Sequence, residues 1–194
     1  IPGLVFRKEN GEIWEQETRT ALDMDRLPFI YEGSDGYEHR ILYYESSRGC
    51  PFSCSYCLSS LDKSVRFRKW ELVKKELNFF LEQKVPQVKF VDRTFNCSKS
   101  HAMAIWRHIA EHDNGITNFH FEIAADLMDE EELSLMEKVR PGLIQLEIGV
   151  QSTNPVVIRE ICRKMDWEKV RKTAERIHGG GRVHQHVDFI AGLP

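Results

Sequence analysis

From residue 41 onward the chain alternates short β-type runs with helical periods, and this alternation constrains its fold more than any other feature. The β-type runs are ILYYE at 41–45, QVKFVD at 87–92, FHFEIA at 119–124, GLIQLEIGV at 142–150 and VHQHVDFI at 183–190. Between them, RKWELVKKELNFFLEQ at 68–83 places Trp70, Val73, Leu77, Phe80 and Leu81 on one helical face. A helix at 100–112 carries Ala102, Ile105 and Ile109 on its buried stripe. Asp129 with Glu132 reads as a capping box ahead of Leu133, Met136 and Val139. Asn154 and Pro155 supply an N-cap and a first-turn proline. Asp166 caps a further helix with Val170, Ala174 and Ile177 buried, which the glycines at 179–181 end. Five strands alternating with helices predict a parallel α/β sheet with right-handed crossovers. A partial TIM-like β/α barrel and an open doubly wound sheet both fit. Polar residues at successive strand ends favour the partial barrel. Either fold puts its active site at the C-terminal ends of the strands.

Residues 1–40 are turn-rich and charged. IPGLVFRKENGEIW predicts a short hairpin around Asn10–Gly11, and LDMDRLPF an irregular arm that docks by Leu27 and Phe29. We expect residues 1–40 to be an arm or linker from an upstream domain, and 41–194 to be the core. The chain opens at Ile1 and ends on GLP, as an excised piece of a longer protein would. Its 194 residues suffice for one sizeable core. A formal charge of −3 gives no support to a nucleic-acid or membrane-surface role, and no apolar run reaches a membrane span.

The first strand leads straight into SSRGCPFSCSYCLSS at 46–60, which holds Cys50, Cys54 and Cys57. Five cysteines, an odd number with three clustered, argue against a disulfide scaffold and for a reducing cytoplasm. Cys97 and Cys162 stand alone and read as small buried hydrophobes. Clustered thiolates select zinc or iron–sulfur. A four-ligand zinc site would have to recruit Cys97, Cys162 or one of the scattered histidines, such as His101, His108, His112 or His120. A ferredoxin-like carrier needs a fourth clustered cysteine. A cluster held by three thiolates keeps one iron open, and an open position marks catalysis rather than structure.

The run Cys50-x3-Cys54-x-Tyr56-Cys57, with its aromatic residue before the third cysteine, resembles the signature of the radical S-adenosylmethionine (SAM) superfamily. The resemblance implies a 4Fe-4S cluster on Cys50, Cys54 and Cys57, with SAM as the missing fourth ligand. It implies reductive cleavage of SAM to a 5′-deoxyadenosyl radical, a low-potential donor of flavodoxin or ferredoxin type, and a six-stranded core of which five strands are present. FVDRTFN at 90–96 stands where many members carry a glycine-rich turn for the methionine amino group, so Asp92, Arg93 and Thr94 replace those glycines. Glu122 at a strand end, Gln151 in EIGVQS with Arg163, and Asp188 in HVDFIAGLP resemble SAM contacts of the coproporphyrinogen-oxidase-like branch. The opening arm resembles the connector of cobalamin-binding members, which implies cobalamin on an upstream domain. An iron–sulfur or zinc module without radical chemistry is the alternative.

Overall fold

The computed structural model describes residues 3–17, 22–33 and 36–194. Strands β1 (Val5–Arg7) and β2 (Ile13–Glu15) form the hairpin, paired antiparallel as Val5↔Glu15. Its turn is made by Gly11 at φ 85° and by Asn10 Oδ1, which accepts from the Glu12 amide at 3.0 Å. Strand β3 (Ile41–Tyr44) opens the core, followed by the two-residue strands β4 (Ser47–Arg48) and β5 (Arg66–Phe67). Then come α1 (Trp70–Glu82), β6 (Gln87–Phe90), α2 (Lys99–Glu111), β7 (Asn118–Ile123) and α3 (Glu130–Met136). The chain continues through β8 (Ile144–Gln151), α4 (Pro155–Glu160), α5 (Trp167–Gly180) and β9 (His184–Phe189).

The large sheet has the order β3-β6-β7-β8-β9, and every neighbouring pair is parallel. Strand order never reverses, so this is the open arc of a barrel and not a doubly wound sheet. Parallel strands covered on both faces read as continuous apolar runs. Here they alternate. Leu42, Tyr44, Val88, Phe90, Phe119, Phe121, Leu146 and Ile148 join the helices in one core. Lys89, Glu122, Gln145, Glu147, His184 and Asp188 take the intervening positions. One face is therefore packed and the other is a polar lumen.

The packing also fixes the loop after β6. Phe95 is fully buried, with its ring 4.3 Å from Phe121 and 5.3 Å from Trp106. Burying one such side chain stabilises the fold by roughly 1.5–3 kcal/mol, so the neighbouring Arg93 and Thr94 are held at the strand end.

The arm packs on this core somewhat differently from expectation. Phe29 stacks edge-on against Phe79 and Phe80 at 5.2 and 5.5 Å, but Leu27 is only half-buried and Met24 is the deep anchor. The Met24 carbonyl accepts from Arg68, whose guanidinium also binds Glu76 at 2.5 and 2.9 Å. Tyr44 donates its hydroxyl to the same carboxylate at 2.7 Å. Glu76 thus faces inward on α1, while Trp70 is half-buried at the helix start; a buried carboxylate persists only when paired like this. The Tyr31 hydroxyl donates to the Tyr43 carbonyl at 2.8 Å and accepts from its amide at 3.1 Å, covering the open edge of β3.

Capping residues sit where their chemistry placed them. Asp129 and Glu132 form the capping box, Asn154 and Asp166 cap α4 and α5, and Gly181 closes α5 at φ 64°. On α5, Thr173 rather than Ala174 is buried beside Val170 and Ile177. Cys162 is exposed, not buried, because it sits at φ 54° in the turn that ends α4; Cys97 is half-buried. Among the described residues no helix is long and apolar enough to cross a membrane.

Candidate functional site

The cysteine loop leaves β4 and returns through β5, whose antiparallel pairing (Ser47↔Phe67, Arg48↔Arg66) closes its base. Gly49 makes the exit possible. Its φ is 106°, and a Cβ there would lie 2.5 Å from the Ser64 carbonyl oxygen on the returning arm. The Cys50 amide donates to the Asp62 carbonyl at 3.0 Å, and the Cys57 amide to the Cys54 carbonyl at 3.1 Å. Asp62 accepts from Arg66 at 2.7 Å and from Ser64 Oγ at 2.8 Å, and these bonds hold its carboxyl at about 2. On the far side, the Ser55 amide donates to the Ile161 carbonyl at 2.9 Å, tying the loop to the end of α4.

Cys50, Cys54, Tyr56, Cys57, Arg93, Thr94, Glu122, Gln151, Arg163 and Asp188 line one cavity of about 210 Å³ at the C-terminal ends of the strands. Of the expected cluster and SAM residues, all but Asp92 are in this set. Strand alternation turns Asp92 away from the cavity and buries it completely beneath the loop. There it accepts from the Ser46 amide at 3.0 Å, Ser46 Oγ at 2.7 Å and Ser47 Oγ at 2.5 Å. Burial raises its carboxyl to about 6 against the pull of those bonds. Behind Ser46, the His101 ring approaches at 2.8 Å and burial lowers its pKa to about 4. Thr94 Oγ1 lies 3.6 Å from Cys50 Sγ.

The cavity also contains residues that sequence reasoning passed over, including Phe52, Glu147 and Gly149. Glu147, Gly149 and Gln151 follow one another at two-residue spacing on β8, so the strand period that exposed Gln151 already implied the other two. Gly149 leaves room for the Gln151 amide, which would overlap any Cβ built there. Gln151 itself holds φ 69°, at the register shift between β8 and β9. A non-glycine residue in that region costs on the order of 1–3 kcal/mol, and such strain concentrates at functional sites.

A scan of family models matches residues 44–194 to the radical SAM superfamily. This chain belongs to the radical SAM superfamily. Over its whole length it is 26% identical to an uncharacterized methyltransferase of Pyrococcus horikoshii, and it spans 43% of that protein. Its fold is similar to that of the radical SAM methyltransferase TsrM from Kitasatospora setae, solved with tryptophan substrate and a SAM analogue. That match has a TM-score of 0.78 at 18% identity and covers all of this chain and 41% of that one. It is also similar to the cobalamin-dependent SAM radical enzyme OxsB, with a TM-score of 0.69 at 19% identity, covering 97% of this chain and 29% of that one.

In this radical SAM core the thiols share the cavity, yet among the described residues no three histidine, cysteine or carboxylate groups are arranged to hold a single metal ion. Burial raises the Glu122 carboxyl above its ordinary value, helped by the neighbouring charge of Glu147 and Asp188. Deeper in the lumen, Glu147 Oε2 is 3.0 Å from Lys89 Nζ. The same oxygen is 3.1 Å from His120 Nε2, but out of line for a hydrogen bond. Burial, with Lys89 nearby, lowers the His120 pKa. A larger apolar recess of about 530 Å³ lies behind α4; of the expected SAM and cluster residues only Arg163 reaches it.

Proposed function

We propose that this chain is the catalytic core of a radical SAM enzyme of methyltransferase type, binding a 4Fe-4S cluster through Cys50, Cys54 and Cys57 and SAM beside it. The observation that carries this is the cavity itself, which gathers three thiols from one loop and polar groups from the ends of β7, β8 and β9. A multi-iron cluster attaches each thiolate to a different iron, so its ligands need to share a wall and not converge on one point, and three thiols lining one cavity are consistent with that requirement. When bound, the cluster supplies the electron that cleaves SAM into methionine and a 5′-deoxyadenosyl radical.

The protein's own residues fit SAM as follows. Glu122, Gln151 and Asp188 offer acceptors for ribose hydroxyls and for an ammonium group. Thr94, next to the buried Phe95, holds its hydroxyl 3.6 Å from Cys50 Sγ, and the Arg93–Thr94 backbone would meet the methionine moiety. Tyr56 sits on the rim against Cys54 and Arg163, where burial raises its phenol pKa. A radical reaction requires that bulk water be kept from the reacting end. A flavodoxin- or ferredoxin-type donor would supply electrons, and an upstream domain would bind cobalamin.

Anaerobic reconstitution tests the reading. The expected product is brown, binds iron and sulfide at cluster stoichiometry, and releases 5′-deoxyadenosine from SAM on reduction. Zinc without iron, or a cluster that leaves SAM intact, would refute it.

A further inference from the structure

Arg163 lies between the cysteine loop and the sheet. Its Nη1 is 3.7 Å from Cys54 Sγ, and its Nη2 donates to the Gly149 carbonyl at the end of β8. Its Nε is buried without a partner. The backbone fixes this placement from both sides. Cys162 at φ 54° turns the chain back after α4, and the Arg163 amide closes that turn on the Ile158 carbonyl at 3.0 Å. The Ser55–Ile161 hydrogen bond joins the sequence neighbour of Cys54 to the same turn. The guanidinium is therefore clamped against one particular sulfur. Nη1 and Nη2 each commit one N–H to these contacts, so the charge is held at the Cys54 sulfur whether or not a further ligand is present.

We propose that Arg163 tunes the reduction potential of the cluster through Cys54; the inference rests on the cluster assignment above. Reduction adds one negative charge to the cluster and its thiolates. A fixed cation at a ligand sulfur, in a partly buried site, stabilises that more negative state and makes the cluster easier to reduce. The effect is present before SAM binds, which separates it from a contact made to SAM alone.

The test is potentiometry of the reconstituted protein without SAM, following the reduced cluster by electron paramagnetic resonance. Arg163→Gln should shift the midpoint to a more negative potential with iron content unchanged, and Arg163→Lys should fall between it and the wild type. Wild-type potential in both variants, with SAM binding weakened, would overturn the proposal in favour of a ligand contact. Loss of the cluster from both variants but not from wild type would also overturn it, in favour of a purely structural clamp. Failure of the wild-type protein to take up iron would instead strike at the cluster assignment.

Discussion

Replacing Gly49 by alanine should empty the metal site while leaving the sheet folded. Gly49 holds φ 106°, and its new Cβ would meet the Ser64 carbonyl oxygen at 2.5 Å, the Ser64 carbonyl carbon at 3.0 Å and Val65 Cα at 3.2 Å. All three are backbone atoms of the returning arm, so no side chain can swing away. The left-handed conformation alone costs about 1–2 kcal/mol for a residue with a Cβ. Relieving the overlap requires the arm to retreat by roughly 1 Å. That displacement breaks the Cys50–Asp62 hydrogen bond and loosens the β4–β5 pair, at roughly 0.5–1.5 kcal/mol for each bond lost. The sum is on the order of 2–5 kcal/mol, concentrated in the loop, since Gly49 lies outside the hydrophobic core. Iron and sulfide per chain after reconstitution are the readout, with far-ultraviolet circular dichroism to confirm the fold. Gly115→Ala is the control: Gly115 has φ 75° with nothing within 4 Å of its Cβ position, so it pays for conformation without a clash. Full cluster content in Gly49→Ala, or equal loss in both variants, would refute the reasoning.

Alanine at Cys50, Cys54 or Cys57 should abolish cluster content, whereas alanine at Cys97 or Cys162 should leave it intact; iron and sulfide analysis decides. Glu122→Ala, Gln151→Ala and Asp188→Ala should each weaken SAM binding roughly ten- to a hundredfold, the loss of one polar contact to a charged ligand, with the cluster retained, as equilibrium binding would show. Gly149→Ala should weaken SAM binding at little cost in stability, because the group it displaces is the flexible Gln151 amide. Asp92 gives a pH dependence. Its carboxyl is raised to about 6, so its contribution to stability is fully present below the unfolded value of about 3.9 and is lost as pH rises through 6. The difference in unfolding free energy between wild type and Asp92→Asn should therefore move in favour of wild type by on the order of 2–3 kcal/mol from pH 7 to pH 4. A flat difference would show that the Asp92 carboxyl is not raised in the folded protein.

Local rules revealed the caps, the hairpin and the strand–helix alternation because each depends on neighbours in sequence. The loop's three thiols and the strand-end polar residues were legible for the same reason, since a strand end is recognised from its own pattern. What stayed hidden depends on distant partners. Nothing local marks Glu76 as buried, because the fold brings Arg68 and Tyr44 to it, and Asp92 looked like a cavity residue until Ser46 and Ser47 claimed it. Leu27 and Met24 are equally apolar, and only tertiary packing shows which is the anchor. Glu147 was missed for a different reason: its signal, the period of β8, was present but followed only as far as Gln151.

The order of the large sheet also sets a sequence of assembly. Each of its strands pairs only with strands next to it along the sheet and in the series β3, β6, β7, β8, β9, so the sheet can grow by addition at one edge as the chain emerges. The thiols come early, directly after β3, but the bonds that hold their loop from the far side come from Ile161 and Arg163. During synthesis the cysteines are thus displayed on a loop closed at its base but unbraced across its top, until β8 and α4 have folded. Completion of the turn after α4 would then brace the loop from its far side, so the geometry of the three thiols is settled only late in synthesis.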